Sequence, residues 1–316
     1  MATIYTYQSR NEVRTYLLMA VFLAIVVAIG YFISYYYESP VILYIAIVFA
    51  VVMNIASYWY SDKITLALSK ARPANPQNPK ELDLIRTVDN LAITAGLPAP
   101  RVYVVDDPAP NAFATGRNAK HAAVAATSGL LDIMNKTELE GVMAHEMSHV
   151  GNRDILLSSV VVVLVGFISI LADIFIRMSF FGGVGGRSND RNNGGGLGAI
   201  FMVIGVIFII LSPIFAQLIQ FAISRRRESL ADADGALLTR YPEGLASALE
   251  KIEKYGKPMV HASNATAHLF IADPFGSDAE NAQGVAAQHT MKARIAGLFM
   301  THPPVEERIA ALRAME

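Results

Sequence analysis

The sequence predicts a mainly α membrane protein: four transmembrane helices carrying, on one side of the bilayer, an α+β unit with a small β-sheet. Three observations lead there. Apolar residues make up 53% of the 316 residues, with a mean hydropathy of +0.37. Four stretches reach the length of about 20 residues that a helix needs to cross a hydrocarbon core. The polar remainder falls into two blocks, residues 61–154 and 224–316, each following a pair of spans. The net charge of −1 gives no reason to expect a nucleic-acid partner. The chain has no cysteine, which excludes disulfides, thiolate metal sites and cysteine nucleophiles together. Any metal must be held by histidine and carboxylate.

The first pair of spans lies within residues 1–60, behind a short N-terminal tail. Residues 15–37 and 41–60 contain no charge and are joined only by Glu38, Ser39 and Pro40, so they form a helical hairpin. The first apolar run far exceeds the 7–15 residues, roughly, of a signal-peptide core and is read as an anchor. The second pair lies within residues 155–223. Its spans are 155–176, with Asp173 near the far end and Arg177 four residues on, and 199–223, kinked at Pro213. A Gly-, Asn- and Ser-rich loop over 182–198 joins them.

Lysine and arginine near the span ends set the orientation. Arg10, Arg14, Lys63, Lys70, Arg72, Lys136, Arg153 and Arg225–Arg227 lie on one side, against Arg177, Arg187 and Arg191 on the other. Both termini and both polar blocks are therefore expected in the cytoplasm.

The first block opens with a polar linker over 71–79. A helix is expected over 81–95, where Leu82, Leu84, Ile85, Val88, Leu91 and Ala92 recur at helical spacing. Strands are expected at 101–105, 111–115 and 122–126, with a turn at 116–118. Thr137 and Glu140 read as a capping box that starts a helix over 138–150, running on toward the third span. The second block reads as helices over 225–241, 242–255 and 305–315, with loops and partial helix over 256–300.

The chemistry is carried by His145-Glu146-Met147-Ser148-His149. Residues i and i+4 share a helix face, so two imidazoles can meet one metal ion, with Glu146 placed to reach a water beside it. A hydrolytic metal site needs a third protein ligand and an open position. Glu228 and Asp232, also four apart, offer one: Glu228 as ligand and Asp232 as acceptor of a ligand histidine's other ring N–H. The same two acids can instead form a solvated face paired with Arg225–Arg227. His121, His261, His268, His289 and His302 remain as competing ligands.

The motifs HEMSHVGNRD, SRRRESLADADG, NAFATG at 111–116 and Thr301-His302-Pro303-Pro304, in this order around the spans, closely resemble the M48 family of metallopeptidases. The resemblance covers nearly the whole chain. It implies a gluzincin-type zinc protease domain, with one zinc ion on His145, His149 and Glu228, Glu146 as base and Asp232 behind the ligands. It also implies that Asn111, Ala112, Phe113 and Ala114 form an edge strand that binds extended peptide, and that His302 stabilises the oxyanion. Asn152 is expected to support the metal helix. Misfolded or damaged membrane proteins, or unfolded polypeptides, are the implied substrates, in quality control at a bacterial inner membrane. A metal transporter would place its ligands within the spans, and none of the four contains a histidine. A scaffold with structural zinc has no use for Glu146. A prenyl-protein endoprotease shares the ligand pattern but usually has more spans.

Spacing also locates the site. His149 precedes Ile155 by six residues, about 9 Å along a continuous helix, and Glu228 follows Ile223 by five. Both ligand groups thus converge at one face of the bilayer, outside the lipid.

Overall fold

The computed structural model describes residues 4–167, 225–263, 265–276 and 304–315. The two N-terminal apolar runs form α1 (Ile4–Tyr36) and α2 (Pro40–Trp59), with Pro40 at the first helical position of α2. Their stretches Asn11–Tyr36 and Pro40–Trp59 are long and apolar enough to span a membrane. The helices touch where a Cβ on Gly30 would stand 2.3 Å from that of Ala46, the close approach that small residues permit in membrane hairpins. With 33 residues, α1 is about 50 Å long. It therefore outreaches a hydrocarbon core of about 30 Å.

Beyond α2 the chain turns into α3 (Ser61–Leu68) and then a four-stranded mixed sheet in the order β1-β2-β4-β3. Strands β2 (Arg101–Val105), β3 (Ala112–Gly116) and β4 (Ala122–Thr127) match the expected ones to within a residue. β2 and β4 run parallel, while β1/β2 and β3/β4 are antiparallel. Strand β1 (Ala71–Pro73) corrects the expected linker. It is short and lies at the sheet edge, where Pro73 is tolerated. Arg72 fastens it, with side-chain hydrogen bonds of 2.9 Å to both Glu81 and Asp106.

Helix α4 (Pro79–Ala95) starts under the Asn78 cap and stops at Gly96, whose φ of 65° suits glycine. A short helix, α5 (Ser128–Ile133), precedes α6 (Lys136–Gly151). The capping box of α6 is not Thr137 with Glu140. The Asn135 side chain accepts from the Glu138 N–H, and Glu138 accepts from the Asn135 N–H. Two pairs fit the same spacing rule, and the one that begins with asparagine lies at the true start of the helix.

Nor does α6 run on into the third apolar run. Arg153, at φ 58°, ends it, and the chain bends by 86° into α7 (Asp154–Phe167). His149 therefore does not stand about 9 Å from Ile155 along one straight helix. The described part of this run is largely buried: Leu157, Val160 and Leu164 pack on Leu18 and Phe22 of α1, and Val162 joins Phe113 and Phe270 under the sheet. The rest of this run with Asp173, the loop 182–198 and the fourth span 199–223 lie outside the described residues.

The second polar block supplies α8 (Arg225–Thr239), α9 (Pro242–Tyr255) and α10 (Val305–Arg313). They pack with α4, α6 and one face of the sheet around a core that includes Leu84, Val142, Met143, Leu245 and Leu312.

Candidate active site

Helix α6 is gripped from two sides. A Cβ on Gly235 of α8 would come within 3.0 Å of the His145 backbone nitrogen, and one on Gly141 within 2.6 Å of that of Leu245 in α9. The missing side chains let the three backbones approach, and α8 thereby brings Glu228 opposite the histidines.

His145 and His149, one turn apart, point Nε2 atoms 3.2 Å from each other. Glu228 Oε2 is 3.7 Å from His145 Nε2, and its Oε1 is 3.8 Å from His149 Nε2. Two tetrahedral ligands, each about 2.0–2.1 Å from a common zinc ion, stand about 3.4 Å apart. The donor set and its spacing fit zinc. Among the described residues this is the one cluster of metal-ligating side chains.

Each ring nitrogen facing away from the cluster meets a carboxylate. His145 Nδ1 is 2.9 Å from Asp232 Oδ1, and His149 Nδ1 is 3.1 Å from Asp154 Oδ2. Such contacts set tautomer and ring orientation. Asp232 is held in turn by Arg308, whose Nε and Nη2 donate to its two oxygens at 2.9 and 2.7 Å. Asp154 accepts from Asn11 Nδ2 at 2.6 Å. Asp154, Arg308 and Asn11 escaped sequence reasoning. Asp154 alone carried a local signal, as an acid five residues after His149.

Burial pulls the His145 pKa down, which favours the neutral ring that a metal requires. His149 is also pulled down by burial, but the Asp154 hydrogen bond and the Glu228 charge outweigh this and raise it to about 9. The site around this ring therefore favours positive charge, as a proton or as a metal ion. Burial pushes Glu146 up to about 7, against the nearby His149 and a backbone hydrogen bond from Ala114. A divalent cation on the three donors would push it back down.

Glu146 lines the cleft together with Ala114, Ser158, His268, Leu269 and Ile271. Of the four residues expected in the peptide-binding strand, Ala114 alone lines this cleft. Phe113 is 1% exposed, edge-on to Phe270 at 5.2 Å. The Asn111 side chain donates to Ala272 O at 2.9 Å. Ala112 gives its carbonyl to the Ile271 N–H at 3.0 Å. β3 does lie at the sheet edge, as expected.

Asn152 caps the end of α6 and reaches α8, donating to Asp234 Oδ2 at 2.8 Å, and Ser148 donates to the same oxygen at 3.1 Å. His121 and His261 stand elsewhere, 2.8 Å from Arg117 and 3.3 Å from Lys70. His268 is buried on the cleft wall and donates from Nε2 to Ser158 O at 3.2 Å. His289 and His302 lie outside the described residues.

Comparison with known proteins agrees with this geometry. The family description "Peptidase family M48" matches residues 78–316. A protein named "Protease HtpX homolog" from Caldanaerobacter subterraneus subsp. tengcongensis is 46% identical over 99% of this chain and 98% of its own length. Others of the same name are 45% identical: one from Thermoanaerobacter pseudethanolicus over 99% and 98% of the two chains, one from Thermococcus sibiricus over 95% and 94%. A looser likeness, with a TM-score of 0.47 and 17% identity, covers 98% of this chain and 67% of a chain in the "Crystal Structure of S. mikatae Ste24p". The matched residues contain every member of the His145–His149–Glu228 cluster, and the likeness to the proteases runs on through both apolar N-terminal helices, so the chain belongs to peptidase family M48 and is a membrane-associated metalloprotease.

Proposed function

We propose that His145, His149 and Glu228 hold one zinc ion per chain, and that this site hydrolyses peptide bonds in misfolded or damaged membrane proteins at the cytoplasmic face of a bacterial inner membrane. The observation that carries the reading is the convergence of three metal donors beside a buried carboxylate that is not one of them. Zinc bound there supplies Lewis acidity, which acidifies water and polarises a carbonyl oxygen. Glu146 takes a proton from the attacking water as its oxygen bonds to the scissile carbonyl carbon. It then delivers that proton to the departing amine as the C–N bond breaks. Asp232 and Asp154 keep the two imidazoles turned so that their Nε2 atoms face Glu228 and would hold the ion. The Ala114 segment of β3 orients substrate backbone along the cleft, and His302 donates to the oxyanion.

The membrane supports the choice of substrate. The candidate membrane span of α1, Asn11–Tyr36, begins at the residue that touches Asp154 behind the site. The cleft therefore stands within reach of cytosolic loops and tails emerging from the bilayer. Residues 1–60 and 155–223 serve as paired anchors, and 61–154 and 224–316 as the two halves of the protease.

The test combines zinc content with cleavage of an unfolded membrane protein, in detergent under metal control. Wild type binds zinc and cuts, Glu146→Gln binds zinc and does not cut, and Glu228→Ala binds zinc far more weakly. Normal turnover by Glu228→Ala would remove Glu228 from the ligand set. A wild type that holds zinc and cuts none of several membrane substrates would remove the assigned substrate class.

A further inference from the structure

We infer that Asn11 is a positioning residue for the metal centre, through which the first membrane helix sets the orientation of His149. The inference rests on the reading of His149 as a zinc ligand. Asn11 is 4% exposed at the start of the apolar stretch of α1. An amide buried there is costly unless it is hydrogen-bonded. Both protons of its Nδ2 are used on the metal-bearing segment. One goes to Asp154 Oδ1 at 2.6 Å, the other to the carbonyl of Asn152 at 3.2 Å. The second oxygen of Asp154 meets His149 Nδ1 at 3.1 Å. A path of one side chain and two hydrogen bonds therefore joins a membrane span to a metal-facing ring.

The place of this contact matters. Asp154 is not carried on α6 with the histidines. It follows the 86° bend, as the first residue of α7, so the geometry of α6 alone does not fix where its carboxylate points. The Asn152 carbonyl lies at the same bend, at the C-terminal end of α6. Asn11 bonds both sides of the bend at once. Glu12, the next residue of α1, pairs with Arg153 between them. Because α1 is one unbroken helix from Ile4 to Tyr36, its depth and tilt in the bilayer are transmitted to this contact. Leucine would fill the space but donate nothing, and aspartate would set a carboxylate against Asp154.

The experiment measures zinc affinity by competition with a chromophoric chelator, on the full chain in lipid nanodiscs, with thermal unfolding recorded in parallel. Loss of a partner behind a metal ligand typically weakens affinity 10- to 100-fold. One step further out, Asn11→Ala is expected to weaken it about tenfold. In an Asp154→Ala background the same substitution is expected to add no further loss, because its effect passes through Asp154. Asn11→Leu, similar in size and suited to an apolar helix, repeats the measurement if the alanine variant does not fold. Unchanged zinc affinity with lowered thermal stability, or an equal loss in both backgrounds, overturns the inference. Undiminished zinc binding by His149→Ala would instead remove the ligand assignment on which it rests.

Discussion

His145 Nδ1 lies 2.9 Å from Asp232 Oδ1, and Asp232 is itself clasped through both oxygens by Arg308. An imidazole of the candidate metal cluster, its carboxylate and the guanidinium that fixes that carboxylate come from α6, α8 and α10. Burial alone would raise the Asp232 pKa. The hydrogen bonds from Arg308 and His145 win and hold it well below the usual carboxylate range. The arrangement favours a charged acceptor behind His145.

Removing Arg308 should therefore damage both stability and metal binding. Arg308→Met leaves Asp232 charged, buried and without its strongest partner. Breaking one side of a buried ion pair costs about 3–5 kcal/mol. Zinc affinity is expected to fall 10- to 100-fold as His145 loses its orientation. Arg308→Lys, which keeps the charge but not the two-pronged grip, should fall between that variant and wild type. Thermal unfolding of the chelated protein and zinc competition read the two effects separately.

The raised pKa of Glu146 makes a prediction of known sign. In chelated protein it titrates near 7, against 4.5 for the ordinary side chain. The folded chain thus binds a proton more tightly than the unfolded one, and stability falls as pH rises from about 4.5 through about 7. The difference corresponds to about 3 kcal/mol. Glu146→Gln removes the burden of a buried carboxylate. It should melt higher than wild type at pH 8 without metal, with the advantage shrinking toward pH 5. Equal melting temperatures at both pH values would mean that burial does not perturb this group.

Sequence and structure agree where the cause is local. The period of Leu84, Val88 and Leu91 marks α4, and the i,i+4 spacing in His145–His149 and Glu228–Asp232 marks two helix faces that meet. What escaped the sequence depends on distant partners. Residues 71–73 read as a linker because a strand three residues long has no period; pairing with β2 and the Arg72 contacts make it one. Arg308 lies 76 residues from Asp232, and Asn11 lies 143 from Asp154, so no local pattern could tie them to the site. The bend after Gly151 was missed because nothing in Asn152-Arg153 is a strong helix breaker. Arg153 takes a left-handed conformation, φ 58°, that a non-glycine residue adopts uncommonly.

Asp107 is an acid whose role is structural. It is 0% exposed, and its carboxylate accepts from the N–H groups of Ala109, Val260 and His261 at 3.0, 2.8 and 3.2 Å. It pins the segment that goes on to supply His268 and Ile271 to the cleft. Asp107→Ala strands three donors, at about 1–3 kcal/mol for each that stays buried and unpaired. Asp107→Asn, which keeps one acceptor oxygen, should lose less. Neither should alter zinc affinity in the fraction that remains folded, because the metal donors lie on other elements. Reduced zinc affinity in folded Asp107→Asn would show that this segment supports the metal centre as well as the cleft.

The close packing of α8 on α6 gives the last prediction, which separates geometry from stability. A Cβ at residue 235 would meet the His145 backbone at 3.0 Å, tight but within what a shift of a few tenths of an ångström relieves. That shift would carry Glu228 and Asp232 away from the histidines, since all three residues ride on α8. Gly141→Ala is harsher, because its Cβ would stand 2.6 Å from the Leu245 nitrogen. Its relief, however, moves α9, which carries no metal donor. Overpacking costs typically 1–3 kcal/mol, so Gly141→Ala is expected to lower the unfolding temperature more than Gly235→Ala. Zinc affinity should follow the opposite order, with Gly235→Ala the weaker binder although it is the more stable protein. If both variants lost zinc affinity in proportion to their stability, helix spacing at residue 235 would have no special part in placing Glu228.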